Sequence, residues 1–283
     1  MRELLTRLEQ ASALDRVGDK IQSVVRAVVR GQVVRDVLHG TWLGHPLHPA
    51  LVQVPLGAWV SAAVLDLMPE QKRAATTLVA VGLAGAGPAA VAGATDWSEL
   101  DREQRRVGLV HWTANLTAVV LYAASLNARL RGDHGRGRTL GFLGLSTVAG
   151  SAYLGGHLAY KLAAQVNQAA PGLHRIGDGW HPIADLSVLP DGKPVGRSVD
   201  DVPVLVYRDG DEVSVLLDHC GHQTGPLSEG DVVRVDGHAC IQCPWHGSVF
   251  RLNDGLVMHG PAGSDQPVLR TRVVNDVVEA NLP

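Results

Sequence analysis

The stretches Cys220-Gly-His222-Gln-Thr-Gly-Pro-Leu-Ser-Glu-Gly230 and Cys243-Pro-Trp-His246-Gly-Ser248 each place one cysteine and one histidine within a few residues. Thiolate and imidazole together suit zinc or an iron–sulfur cluster. Zinc fingers usually pair cysteine with cysteine and histidine with histidine in local units, whereas here each loop supplies one of each. That order fits a [2Fe–2S] cluster in which two cysteines hold one iron and two histidines the other.

The residues around these loops read as strands. Residues 202–207 and 213–217 are short β-type runs separated by Asp and Gly turn residues, and later runs fall at 232–235, 248–252 and 273–280. This predicts a small antiparallel β domain over 178–283. The chain has 3 cysteines, which excludes a disulfide framework. Cys240 stands three residues before Cys243 and reads as a strand cysteine outside the cluster rather than half of a redox pair. His219 and His259 read as surface histidines.

The two loops resemble the cluster loops of Rieske ferredoxin domains, and Asp254-Gly255 with Gly260-Pro261-Ala262 is similar to the turn and proline loop that follow there. The resemblance implies that Cys220 and Cys243 ligate the ferric iron, and that His222 and His246 ligate the iron that takes up the electron. It also implies a shell of Ser248, Trp245 and Phe250 around the cluster. Rieske proteins of the cytochrome bc type carry a further cysteine in each loop, joined as a disulfide; Gly225 and Trp245 stand at those places here. The domain therefore resembles the soluble ferredoxin and oxygenase type. Ser248 keeps a hydroxyl that would reach a bridging sulfide, while Phe250 replaces a tyrosine. With one donor of two retained, the expected potential lies in the lower half of the range of about −150 to +300 mV.

The N-terminal half has a different texture. No Lys, Arg, Asp or Glu occurs between Asp36 and Asp66, nor in 74–95, 107–128 or 139–160. Each of the last three spans reaches roughly 33 Å as a helix, enough for a bilayer core of about 30 Å. Within the first gap the apolar stretch is placed at 47–68. The fold class expected is thus α + β multidomain, a four-helix transmembrane bundle followed by a small antiparallel all-β Rieske domain. Before the bundle, Leu14, Val17, Ile21, Val24 and Val28 recur at helical spacing among charged residues, predicting an amphipathic helix at the membrane surface, packed on the bundle or on a protein partner. Domain borders fall at 1–39, 40–168, a linker 169–177, and 178–283. Lys and Arg favour one side of the four spans by eight to six, which places both termini and the Rieske domain in the cytoplasm, on a multi-pass protein of the cell membrane.

The bundle carries His45, His48, His111, His157 and Asp96, which antiparallel spans would bring to one membrane face. The stretches His45-Pro-Leu-His48-Pro, Thr95-Asp96-Trp97, His111-Trp-Thr-Ala-Asn115 and Gly155-Gly156-His157-Leu resemble a bacterial four-helix membrane domain. That resemblance names a family and brings no chemistry. Ionisable groups at membrane depth mark function, so these residues are candidates for haem b, another metal or a quinone, with interfacial hydrogen bonding as the plain alternative. Asp66 and Asn115 read as helix-end and interhelical polar groups.

Residues 171–283 carry 8 basic and 16 acidic side chains, and the chain as a whole is at −3, which gives no nucleic-acid signal. The expected function is single-electron transfer between a membrane donor (quinone, haem or reductase) and a redox partner whose basic surface suits the acidic domain. A Rieske-type oxygenase is the enzymatic alternative. Such an enzyme needs a second iron site in a large domain, and 37 residues follow His246. A redox sensor or assembly factor is the third reading.

Overall fold

A computed structural model describes residues 2–283, which divide into two units. The first holds the residues up to Arg30 and Leu47–Ala164. The second holds Gly31–Pro46 and Gln165–Pro283.

The first unit is helical among its described residues. Helices α1 (Arg2–Glu9) and α2 (Asp15–Val28) precede a broken helix, α4 (Leu47–Leu51) and α5 (Gln53–Asp66). Three long helices follow: α6 (Lys72–Trp97), α7 (Arg102–Leu130) and α8 (His134–Tyr160). The charge-free spans fall inside these elements. Leu47–Asp66, Lys72–Trp97 and Arg102–Leu130 are long and apolar enough to cross a membrane. The expected fourth span, α8, has 27 residues and thus the length, but its seven glycines and its Ser and Thr residues leave it less apolar. Among the described residues the structure therefore gives three apolar spans rather than four, because glycine contributes helix length without hydrocarbon.

Small residues let these helices close on one another. Trp59 stacks on Tyr122 with ring centroids 4.1 Å apart. A Cβ added at Gly82 would lie 2.2 Å from the Trp59 indole, so only glycine fits there. The buried pair Arg129–Asp66, at 2.8 Å, ties α7 to the end of α5, and Ser125 Oγ donates to the Gly137 carbonyl of α8.

Helix α2 is amphipathic, as its spacing predicts, but its polar residues face the bundle. Asp15 pairs with Arg106 at 2.7 Å, Asp19 with Arg105 at 3.0 Å, and Arg26 with Glu99 at 2.8 Å. Val17, Val24 and Val28 stay exposed.

In the second unit, helix α3 (Gln32–His39) accompanies ten strands. These are β1 (His181–Asp185), β2 (Pro194–Val199), β3 (Val202–Asp209), β4 (Glu212–Leu217), β5 (Asp231–Val235), β6 (His238–Gln242), β7 (Val249–Arg251), β8 (Val257–His259), β9 (Val268–Val274) and β10 (Val277–Asn281). One antiparallel sheet runs β1-β10-β9-β4-β3-β2, and a second runs β5-β6-β7-β8. The single strand read at 273–280 is a hairpin instead, turned by Asn275 and Asp276, both at positive φ. Paired positive φ values make the turn whose twist matches its flanking strands. Residues 169–177 do not hang free as a linker, because Ala169 and Ile176 are buried in the core under the larger sheet.

Candidate metal centre

The second core of the C-terminal unit, built by Leu205, Leu216, Leu227, Ile241, Phe250 and Leu252, also contains Cys220 and Cys243. Apolar packing thus fixes the roots of two loops, one between β4 and β5 and one between β6 and β7. Each loop is closed by its own backbone. Cys220 N–H donates to Gly225 O at 2.9 Å and Thr224 N–H to Cys220 O at 2.8 Å; Cys243 N–H donates to Ser248 O at 2.8 Å.

The two loops pair Cys220 with Cys243 and His222 with His246. The imidazoles of His222 and His246 meet edge to face, with centroids 5.0 Å apart. The thiol of Cys220 is hydrogen-bonded to Cys243, which pushes Cys220 up and Cys243 down to about 6. Burial, reinforced by the charges of His246 and His39, pushes His222 down to about 3. Both nitrogens of buried His222, and Nδ1 of His246, have no hydrogen-bond partner among the described residues. Such groups are costly to bury unmatched, and neutral imidazole beside a low-pKa thiol is the protonation state that a metal requires. The donor set fits a [2Fe–2S] cluster.

Ser248 is fully buried, and its Oγ accepts from Ala262 N–H at 3.0 Å, leaving its own proton free to donate. Phe250 is fully buried, while Trp245 is exposed. A Cβ at Gly225 would lie 2.9 Å from Cys243 Sγ and 3.0 Å from the Trp245 ring, so the two positions that hold a disulfide in bc-type proteins are neighbours here without one. Cys240 is buried on β6 and bonds the His238 carbonyl, a strand cysteine as read.

His219 is exposed, but His259 is not an idle surface residue: its Nδ1 is 2.9 Å from Asp36 Oδ2. Sequence reasoning also missed Gln266 and Gln168. Buried Gln266 accepts from Gly221 N–H and donates to the Leu217 and His219 carbonyls; Gln168 donates to the His222 carbonyl at 3.2 Å. Nothing in their local sequence marks them, since both reach the first loop from distant segments.

The membrane histidines are engaged differently. His48 Nδ1 bonds Ala89 O at 2.8 Å. Asn115 Nδ2 donates to His111 Nε2 at 3.1 Å, so His111 carries its proton on Nδ1 and donates to Ser151 O at 2.8 Å. His157 Nε2 pairs with Glu9 at 2.7 Å. His45 falls in the other unit, exposed, on its own Pro46 carbonyl, and Asp96 is buried in α6. The expected haem or quinone site is not supported. An axial ligand needs a free imidazole nitrogen, and His111 has both of its own in use.

Comparison with known proteins agrees with this division. Residues 179–271 match the Rieske [2Fe-2S] domain, and residues 44–168 match the family described as predicted membrane protein (DUF2231). The anthranilate 1,2-dioxygenase ferredoxin subunit of Burkholderia cepacia is 32% identical over 103 residues, 36% of this chain and 92% of that one. The oxygenase component of dicamba O-demethylase from Stenotrophomonas maltophilia is 39% identical over 90 residues, 31% of this chain but only 25% of the relative. Among solved structures, the ferredoxin of carbazole 1,9a-dioxygenase from Nocardioides aromaticivorans IC177 aligns with 36% of this chain and 99% of its own at 27% identity and a TM-score of 0.34. The chain belongs to the proteins that carry a Rieske [2Fe–2S] domain, an electron-transfer module homologous to ferredoxin subunits, joined here to a domain of a membrane-protein family.

Proposed function

We propose that this protein is a membrane-anchored Rieske protein that carries single electrons between a membrane donor (a quinone, a haem protein or a reductase) and a redox partner. Cys220 and Cys243 would hold one iron of the cluster, and His222 and His246 the other. The observation that carries this reading is that the same two loops present a hydrogen-bonded pair of thiols and a facing pair of imidazoles, each imidazole with a ring nitrogen that has no hydrogen-bond partner among the described residues. When bound, the cluster supplies a one-electron couple. The protein's part is to exclude water with Phe250 and the core around it; the buried Ser248 hydroxyl would supply a donor to the cluster, which would favour its reduced state.

The anchor comprises the three apolar spans with α8 as the fourth, and the Rieske unit faces the cytoplasm. The lean of Lys and Arg toward the side of the termini supports that orientation. The relatives' names include a dioxygenase ferredoxin subunit, so a soluble oxygenase or reductase is a fitting partner class. The net charge of −8 over 171–283 suits a basic docking surface.

The test is the detergent-purified protein, reduced and studied by EPR and visible spectroscopy. A rhombic Rieske signal with broad visible absorption is expected, in material that stays with membranes after an alkaline wash. Absence of the signal in iron-replete protein overturns the cluster assignment; release by the wash overturns the anchor. Sharp α and Soret bands would return the bundle histidines to haem.

A further inference from the structure

All but the last three residues of Gly31–Pro46 precede both family matches, yet this segment is part of the C-terminal unit. Its helix α3 ends at Gly40, whose left-handed φ of 76° lets its N–H reach back to the Asp36 and Val37 carbonyls. Thr41 Oγ1 also donates to the Asp36 carbonyl, so the Asp36 backbone is held by the helix end. The Asp36 carboxylate then reaches the proline loop. Oδ2 is 2.9 Å from His259 Nδ1, and Oδ1 accepts from Gly260 N–H at 3.0 Å.

His39, one turn on, is fully buried against the same loop. A Cβ on Gly260 would lie 2.8 Å from His39 Cδ2, and one on Gly263 would lie 3.1 Å from the His39 carbonyl. Between those glycines, Ala262 N–H donates to Ser248 Oγ. The loop is therefore fastened to α3 on one side and to the second cluster loop on the other. On the ligand side, His222 is 3% exposed, whereas His246 is half-buried beside exposed Trp245.

We propose that Gly31–Pro46 is an internal cap on the cluster end of the Rieske unit, with Asp36 and His39 as positioning residues that hold the proline loop closed and keep water from His222. Electron exchange then runs through the open His246 side. This rests on the cluster assignment above.

The experiment uses the full-length protein in detergent. It measures the midpoint potential and the electron-spin-echo modulation from exchanged solvent deuterons for wild type, Asp36→Ala, Asp36→Asn and His259→Ala. Asp36→Ala removes the acceptor for Gly260 N–H; its deuteron modulation deepens and its potential rises, because admitted water and a lost negative charge both favour the more negative reduced cluster. Asp36→Asn keeps an acceptor; its modulation stays at the wild-type depth while its potential rises less. His259→Ala loosens one end of the clamp and deepens the modulation less than Asp36→Ala. It decides the matter if Asp36→Ala fails to assemble.

A wild type without a Rieske signal sinks the cluster reading itself. A wild type with the signal, and variants whose modulation is unchanged, overturns the cap alone. The cap also falls if Ala and Asn shift the potential equally, since Asp36 would then act only as a charge.

Discussion

His111 and His222 are the same side chain, the first half-buried and the second fully buried, in two regions of one chain. The membrane-domain histidine has a donor on one ring nitrogen and an acceptor on the other, both from the protein. The Rieske-domain histidine has neither among the described residues. A protein that buries imidazole for structure satisfies it, because an unmade hydrogen bond costs about 1–3 kcal/mol. A protein that buries it for a metal leaves the lone pair bare. Burial alone therefore does not separate the two roles, and the inventory of partners does.

The largest effect expected from this contrast is at the cluster. His246→Cys should abolish the rhombic EPR signal, either by losing the cluster or by converting it toward an all-thiolate type of much lower potential. A surviving, unchanged signal would break the ligand assignment. Asp66→Ala should come next: it strands the Arg129 guanidinium, 1% exposed, and should destabilise the helical unit by about 3–5 kcal/mol while the cluster signal remains. Thermal unfolding followed separately through helix content and cluster absorption reads this directly.

His111→Ala sharpens the comparison further. It should lower helical stability by about 1–3 kcal/mol, through the orphaned Ser151 and Asn115 groups, with no change in the reduced-minus-oxidised spectrum. A visible band that disappears in this variant would make His111 a cofactor ligand after all.

The smallest effect concerns Glu9, which is held below the ordinary glutamate value of 4.5 by its hydrogen bond from Lys161 and then by His157. A depressed carboxylate stabilises fully above its unfolded value and loses that contribution as pH falls through the folded one. The protection of α1 amides against exchange, taken relative to their intrinsic rate at each pH, should therefore fall below pH 4.5 and stay level above it, and Glu9→Gln should remove the dependence.

The cluster loops were legible because each packs its ligands within three residues of one another, so local spacing survives in the linear chain. The apolar spans were legible because a bilayer imposes a length and a composition on consecutive residues. Where that composition thins, as in glycine-rich α8, the reading overshot. The amphipathic helix was legible as a pattern, but which face met the bundle was not: the arginines that pair with Asp15, Asp19 and Glu99 lie on both sides of the partnership, far apart in sequence.

The sequence by itself determined the four soft ligands, the β character of their domain and the apolar character of the helices, since each is written in residues close along the chain. Tertiary structure alone decided that His111 is bonded by Ser151 and Asn115, His48 by Ala89 and His157 by Glu9. It also decided that Asp36 reaches Gly260 across 224 residues. A hydrogen bond is fixed by position within about 3 Å, and no local pattern encodes which distant atom will stand there.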